Sequence, residues 1–144
     1  MYFVDIHQLM NKLEFFSTQL AMSKRISIDT EINKLALERV THLLIESLLD
    51  IGNMMIDGFV MRDPGSYADI ISILVDENVL EKEEEDAYHS LVHLRKSLIQ
   101  EYDKIDHEVI VSTLNDNHTY YKSFEQKIKT YLADEMGVAN TFRE

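Results

Sequence analysis

The stretch LALERVTHLLIESLLDIGNMMI, residues 35–56, decides the fold. Leu37, Val40, Leu44, Leu48, Ile51 and Met55 recur every three or four residues, the spacing that lines one face of an α-helix. Leu43, Ile45, Leu49 and Met54 widen that face. The pattern predicts one long helix over about Glu31 to Val60, with Asp29 or Thr30 as its N-cap. So wide a stripe exceeds what one neighbouring helix covers, and burial against a core plus a second subunit is its simplest account.

Four more helical segments follow from the same reading. Upstream, Ile6, Leu9, Met10, Leu13, Phe16 and Leu20 predict a helix over Val4 to Met22. Downstream, Pro64 and Gly65 mark a turn, and Ser66 caps a short helix reaching about Val75. Ala87, Leu91, Leu94 and Leu98 face inward on a helix from Lys82 to Gln100. Asp106 then caps a last helix, to about Met136, that carries Val111, Leu114, Tyr121, Phe124, Ile128 and Tyr131. The expected architecture is all-α: an up-and-down antiparallel bundle of about five helices. One domain is expected over 1–136, with a short flexible tail over 137–144.

Composition points the same way. Four Gly and one Pro in 144 residues are too few for a fold built on frequent chain reversals. Cys is absent, which removes disulfides, thiolate metal sites and cysteine nucleophiles, and fits a cytoplasmic location. MYFVDIHQLMNKLEFF has no basic leader and is broken by Asp5, His7 and Gln8, unlike a signal peptide. No apolar run approaches the length of a membrane span, so no membrane partner is expected. The formal net charge of −12 opposes unaided binding to a long polyanion, so DNA is not an expected partner and any RNA contact must be local. Part of the acid lies in DENVLEKEEED, 76–86, read as a solvated helix start.

Few residues carry recognisable chemistry. There is no phosphate-cradling Gly-rich loop, Walker motif or Ser-His-Asp spacing. His89 and His93 are spaced i, i+4, but nothing nearby completes a zincin-like set, so neither a metal nor another cofactor is expected.

Three blocks taken together, LALERVTHLLIESLLDIGNMMI, PGSYADIISIL and HLRKSLIQEYDKID, resemble in order and spacing the HepT-like group of HEPN proteins. The resemblance covers about residues 1–135. It implies a HEPN-like helical domain that forms a two-fold homodimer, with two Arg-x4-His-x-Tyr segments facing one cleft. In active members this is a metal-independent endoribonuclease and a toxin of the type VII toxin–antitoxin class. It is paired with a minimal nucleotidyltransferase antitoxin, which in some systems adds AMP to the motif tyrosine. On this sequence Arg95 takes the place of the motif arginine and Tyr102 that of the tyrosine, the candidate AMP-modification site. Gln100 stands where the histidine would be, and Lys96 where an asparagine is usual.

That departure separates two functions. Metal-free RNA cleavage needs a group that takes the 2′-hydroxyl proton and one that protonates the leaving oxygen, and histidine does either near neutral pH. Glutamine does not titrate. Arg95 and Lys96 still offer a fork and a point charge to phosphate. The expectation is weak or absent cleavage, with RNA, nucleotide or partner binding retained through Arg95 and Tyr102. The alternatives are an active RNase toxin that uses another base and is neutralised by a nucleotidyltransferase, and a non-catalytic helical interaction module. His107 is the stand-in base considered for the former; His93 lies only two residues before Arg95, off the motif spacing. Five residues turn a straight helix by about 500°, leaving positions 95 and 100 about 140° apart. Their convergence therefore depends on the helix ending near Gln100 and on the second subunit. Glu46, Asp50 and Asn53 are the polar residues placed to support Arg95 in the implied cleft, and Arg39 and His42 share their helix.

Overall fold

The computed structural model describes the backbone of residues 4–143 and side chains as far as Met136, and within them the chain is all-helical. Helix α1 spans Ile6–Ser23, α2 Glu31–Gly58, α3 Tyr67–Asp76, α4 Glu85–Ile99, α5 His107–Asp116, α6 His118–Lys122 and α7 Phe124–Arg143; a 3-10 turn, Lys82–Glu84, leads into α4. Each of the first three helices starts where a short polar side chain accepts from the backbone N–H three residues on: Asp5 from Gln8, Thr30 from Asn33 and Ser66 from Asp69. This satisfies donors that the helix itself leaves open. Asp106 does the same for α5 through the N–H groups of Glu108 and Val109. Of the two caps expected for α2 it is Thr30 that serves, while Asp29 accepts from the Asn33 side chain.

Helix α2 is the axis of the bundle, packed by α1 along its length and by α3, α4 and α5. Leu37, Leu44, Ile45, Leu48, Leu49, Ile51 and Met55 are all buried. Most of the wide stripe is thus covered by several helices of the same chain, while Leu43 and Met54 stay half-buried. Gly52 lets α3 come close: a Cβ there would lie 2.4 Å from Ile70 Cγ2. Phe16 and Phe124, with ring centroids 4.9 Å apart, join α1 to α7. Tyr121 donates its hydroxyl to the Ala87 carbonyl at 2.6 Å, holding α6 on α4 while its ring stays in the core.

Two expectations are corrected. The last expected helix is three helices, because Asn117 and Ser123 interrupt it. Asn117 turns its side-chain amide back to the Thr113 carbonyl at 2.9 Å, and the Ser123 hydroxyl donates to the Tyr120 carbonyl at 2.7 Å. Such local bonds compete with helix continuation. The acidic run is also not wholly solvated, since Glu84 is fully buried. Its carboxylate accepts from the Glu81 N–H and pairs with Lys127 of α7. The expected tail, 137–144, lies outside the residues whose side chains are described.

Candidate functional site

Arg95 sits on α4, facing the middle of α2. Its Nε donates to Glu46 Oε1 at 2.7 Å, and its guanidinium carbon lies 4.3 Å from the centroid of the Tyr67 ring. The hydrogen bond to Glu46 raises the guanidinium pKa further and outweighs the opposing effect of burial, so the cation is fixed. Stacking on Tyr67 orients the fork as well as adding cation–π attraction. Three helices thereby position one arginine on a partly open face.

The other residues singled out from sequence divide. Of Glu46, Asp50 and Asn53, only Glu46 reaches Arg95; Asp50 pairs with Lys12 of α1 at 3.2 Å, and Asn53 is exposed. Gln100 caps the C-terminus of α4, its N–H donating to the Lys96 carbonyl at 2.8 Å, and its side chain is exposed. Lys96 is exposed too, and Tyr102 stands beyond the helix end at 70% exposure. The helix thus ends one residue before position 100. His107, considered as a stand-in base, has its Nε2 2.7 Å from Glu38 Oε2 and joins α5 to α2.

Arg39 and His42 turn out to be part of the same array. His42 Nε2 lies 3.4 Å from Glu46 Oε1, the oxygen that accepts from Arg95, and Arg39 Nη1 lies 3.4 Å from His42 Nδ1. A row Arg39–His42–Glu46–Arg95 therefore crosses from α2 to α4, ending against Tyr67. A cleft of about 210 Å³, lined by Leu35, Glu38, Arg39, His42 and Leu98, opens beside it. Its signal was present in the sequence as polar residues at i, i+3 and i+7 on an apolar helix; Tyr67 had none beyond its place in PGSYADI.

His89 and His93 lie elsewhere, with Asp86 and Asp106 along a groove of about 480 Å³ between α4 and α5. His89 Nε2 is 3.4 Å from the Ser72 hydroxyl and 3.5 Å from Glu85. Among the described residues no group of three or more His, Asp or Glu side chains is arranged to hold a metal ion, and no helix is long and apolar enough to cross a membrane.

Comparison with known proteins bears on this arrangement. The family model described as Ribonuclease HepT-like matches residues 6–128. A Bacillus subtilis (strain 168) protein named Putative RNase YutE is 44% identical over 144 residues, spanning 99% of this chain and 100% of its own length. A solved structure of YutE from Bacillus subtilis, described as a cytosolic protein of unknown function, superposes with a TM-score of 0.91 at 45% identity over 95% of this chain and 96% of that one. A more distant structure, a tri-AMPylated Shewanella oneidensis HEPN toxin in complex with an MNT antitoxin, has a TM-score of 0.77 at 17% identity, over 89% of this chain and 99% of that one, and so shares the fold.

Proposed function

The chain belongs to the Ribonuclease HepT-like family, and from that membership we propose that it binds RNA on the face bearing Arg95 and cleaves it weakly. The observation that carries this reading is the pairing of a held arginine with a non-titrating neighbour. Arg95 is oriented by Glu46 and Tyr67 to offer its remaining N–H groups to a phosphodiester, while position 100, where a histidine would exchange protons, is Gln100. Lys96, exposed on the same helix, adds a phosphate contact. Loss of a general acid–base group lowers rates by about 10² to 10⁴, so binding outlives most of the cleavage.

A partner reading rests on exposed apolar surface. Ile32 (78%) and Leu35 (61%) on α2, and Ile99 (39%) and Tyr102 (70%) at the end of α4, are open to solvent where the two helices meet across the Leu35–Leu98 cleft. A second copy of the chain on this surface would bring two Arg95 side chains toward one cleft. Tyr102, unburied and beyond the helix, is also accessible to a nucleotidyltransferase, the kind of partner the tri-AMPylated HEPN toxin suggests.

The test is direct. Wild type, Arg95→Ala and Gln100→His are compared for binding and cleavage of a labelled single-stranded RNA without metal. Binding by wild type that Arg95→Ala weakens, and cleavage gained in Gln100→His, are expected. Cleavage by wild type as fast as by Gln100→His would overturn the account of position 100. Sedimentation of wild type and Leu35→Glu reports on the dimer, expected to be lost in the variant.

A further inference from the structure

We propose that His42, oriented by Glu46, is the group that accepts the 2′-hydroxyl proton in whatever RNA cleavage this chain performs, standing in for the histidine absent at position 100. The inference rests on the RNA-binding reading and adds to it a catalytic residue from a different helix.

The geometry begins with the tautomer. An arginine side chain has donors only, so the 3.4 Å approach of Arg39 Nη1 to His42 Nδ1 makes Nδ1 the acceptor. The neutral ring then carries its proton on Nε2, which faces Glu46 Oε1 at 3.4 Å. A carboxylate behind one ring nitrogen and a lone pair on the other is the arrangement of an oriented general base, since the carboxylate stabilises the imidazolium that forms. His42 keeps 29% of its side chain exposed and lines the cleft beside Arg39 and Leu98. Substrate can reach it.

The charges around it suit a phosphodiester. Arg39 is exposed and has no carboxylate partner among the described residues. Phosphate oxygen is a stronger acceptor than neutral imidazole, so a phosphodiester drawn to Arg39 turns that side chain away and frees Nδ1. Arg95 is anchored through the same Glu46 oxygen. Glu38, the other acid in the cleft, is matched by His107 of α5 at 2.7 Å. The groups facing His42 are therefore Arg39, Glu46 and Glu38 on its own helix, with Arg95 from α4 joined through Glu46.

The step balances without a co-reactant. The 2′-hydroxyl proton passes to His42 Nδ1 as the 2′-oxygen bonds to phosphorus. The bond from phosphorus to the 5′-oxygen breaks, and that oxygen takes a proton from water. The proton held by His42 neutralises the hydroxide so formed. The products are a 2′,3′-cyclic phosphate end and a 5′-hydroxyl end.

The experiment incubates excess protein with end-labelled single-stranded RNA, without metal, between pH 5 and 8. It compares wild type, His42→Gln, Gln100→His and the His42→Gln/Gln100→His double variant, with RNA binding measured in parallel; His42→Asn replaces His42→Gln if that variant unfolds. Wild type is expected to give slow cleavage. His42→Gln is expected to lose about 100-fold of it while binding RNA as wild type does. Equal cleavage by wild type and His42→Gln, or cleavage by Gln100→His with none by wild type, overturns the role of His42 and leaves the RNA-binding reading standing. No RNA binding by wild type together with no cleavage by Gln100→His removes that reading itself.

Discussion

Glu46 Oε1 stands 2.7 Å from Arg95 Nε and 3.4 Å from His42 Nε2, so one carboxylate oxygen ties a cation on α4 to an imidazole on α2. Neither partner is deeply buried, with side-chain exposures of 27% for Arg95 and 37% for Glu46, so solvent screens the pair. Glu46→Gln keeps the size and a hydrogen-bonding oxygen but removes the charge. It is expected to cost about 1 kcal/mol of stability. Urea unfolding at low and high salt checks this, because an ionic contribution shrinks as salt rises. A cost that does not change with salt would mean the contact acts by packing alone.

Much of the fold was legible, because helix starts and apolar stripes are local signals. Thr30, Ser66 and Asp106 each cap the helix that the sequence predicts after them. What stayed hidden was either a choice between competing local bonds or a matter of three-dimensional neighbours. Interruption of the last helix rests on backbone bonds made by Asn117 and Ser123, both residue types that helices also tolerate. Burial of Glu84 required knowing that Lys127, 43 residues later, would meet it. At the candidate site, nearness in the chain to Arg95 points to His107 as the stand-in base to consider. The structure couples His107 to Glu38, and it is His42, far earlier in sequence, that shares a carboxylate with Arg95.

The contact of α2 with α3 is set by the missing side chain at Gly52. A Cβ there would meet Ile70 Cγ2 at 2.4 Å, and Ile70 is itself 2% exposed, with little room to retreat. Gly52→Ala is expected to destabilise by about 1 to 3 kcal/mol, despite alanine's better helix propensity. Ile70→Ala removes the clashing methyl, so the double variant should cost less than the sum of the two singles. Thermal denaturation of all four proteins gives the cycle, and simple additivity would argue against the clash.

Val60 ends α2 in an unfavourable conformation. Its φ is 55°, in the left-handed region, where a β-branched side chain crowds its own backbone. The turn closes through the Met61 N–H, which donates to the Ile56 carbonyl at 2.9 Å, a helix-ending pattern that glycine serves best. The side chain is 74% exposed, so little packing is lost with it. Val60→Gly is therefore expected to raise stability by about 1 kcal/mol, the relief of strain exceeding the added flexibility of the unfolded chain. A lower denaturation midpoint would show that Val60 makes a contribution its exposure conceals. Asn78, at φ 62° after α3, already has a residue type that accepts this conformation.

Acid sensitivity is expected to trace in part to the start of α3. Arg62 donates from Nη1 to Asp69 Oδ2 at 2.7 Å and from Nη2 to Oδ1 at 3.0 Å. The Gly65 N–H donates to the same carboxylate at 2.9 Å. The Arg62 bonds, then that from Gly65, hold the Asp69 pKa down to about 2 from an ordinary 3.8. Because the folded value lies below the unfolded one, the stabilising contribution is complete above the unfolded value and disappears as pH falls through the folded one. The wild type should lose stability between pH 4 and 2 more steeply than Asp69→Asn, whose side chain does not titrate. Chemical denaturation at pH 6, 4 and 2.5 measures the two slopes. Parallel slopes would mean that Arg62 and Asp69 hold each other just as well in the unfolded chain, and that the acid-labile carboxylates lie elsewhere, with Glu125, drawn down by Lys129 and Ser17, the next to test.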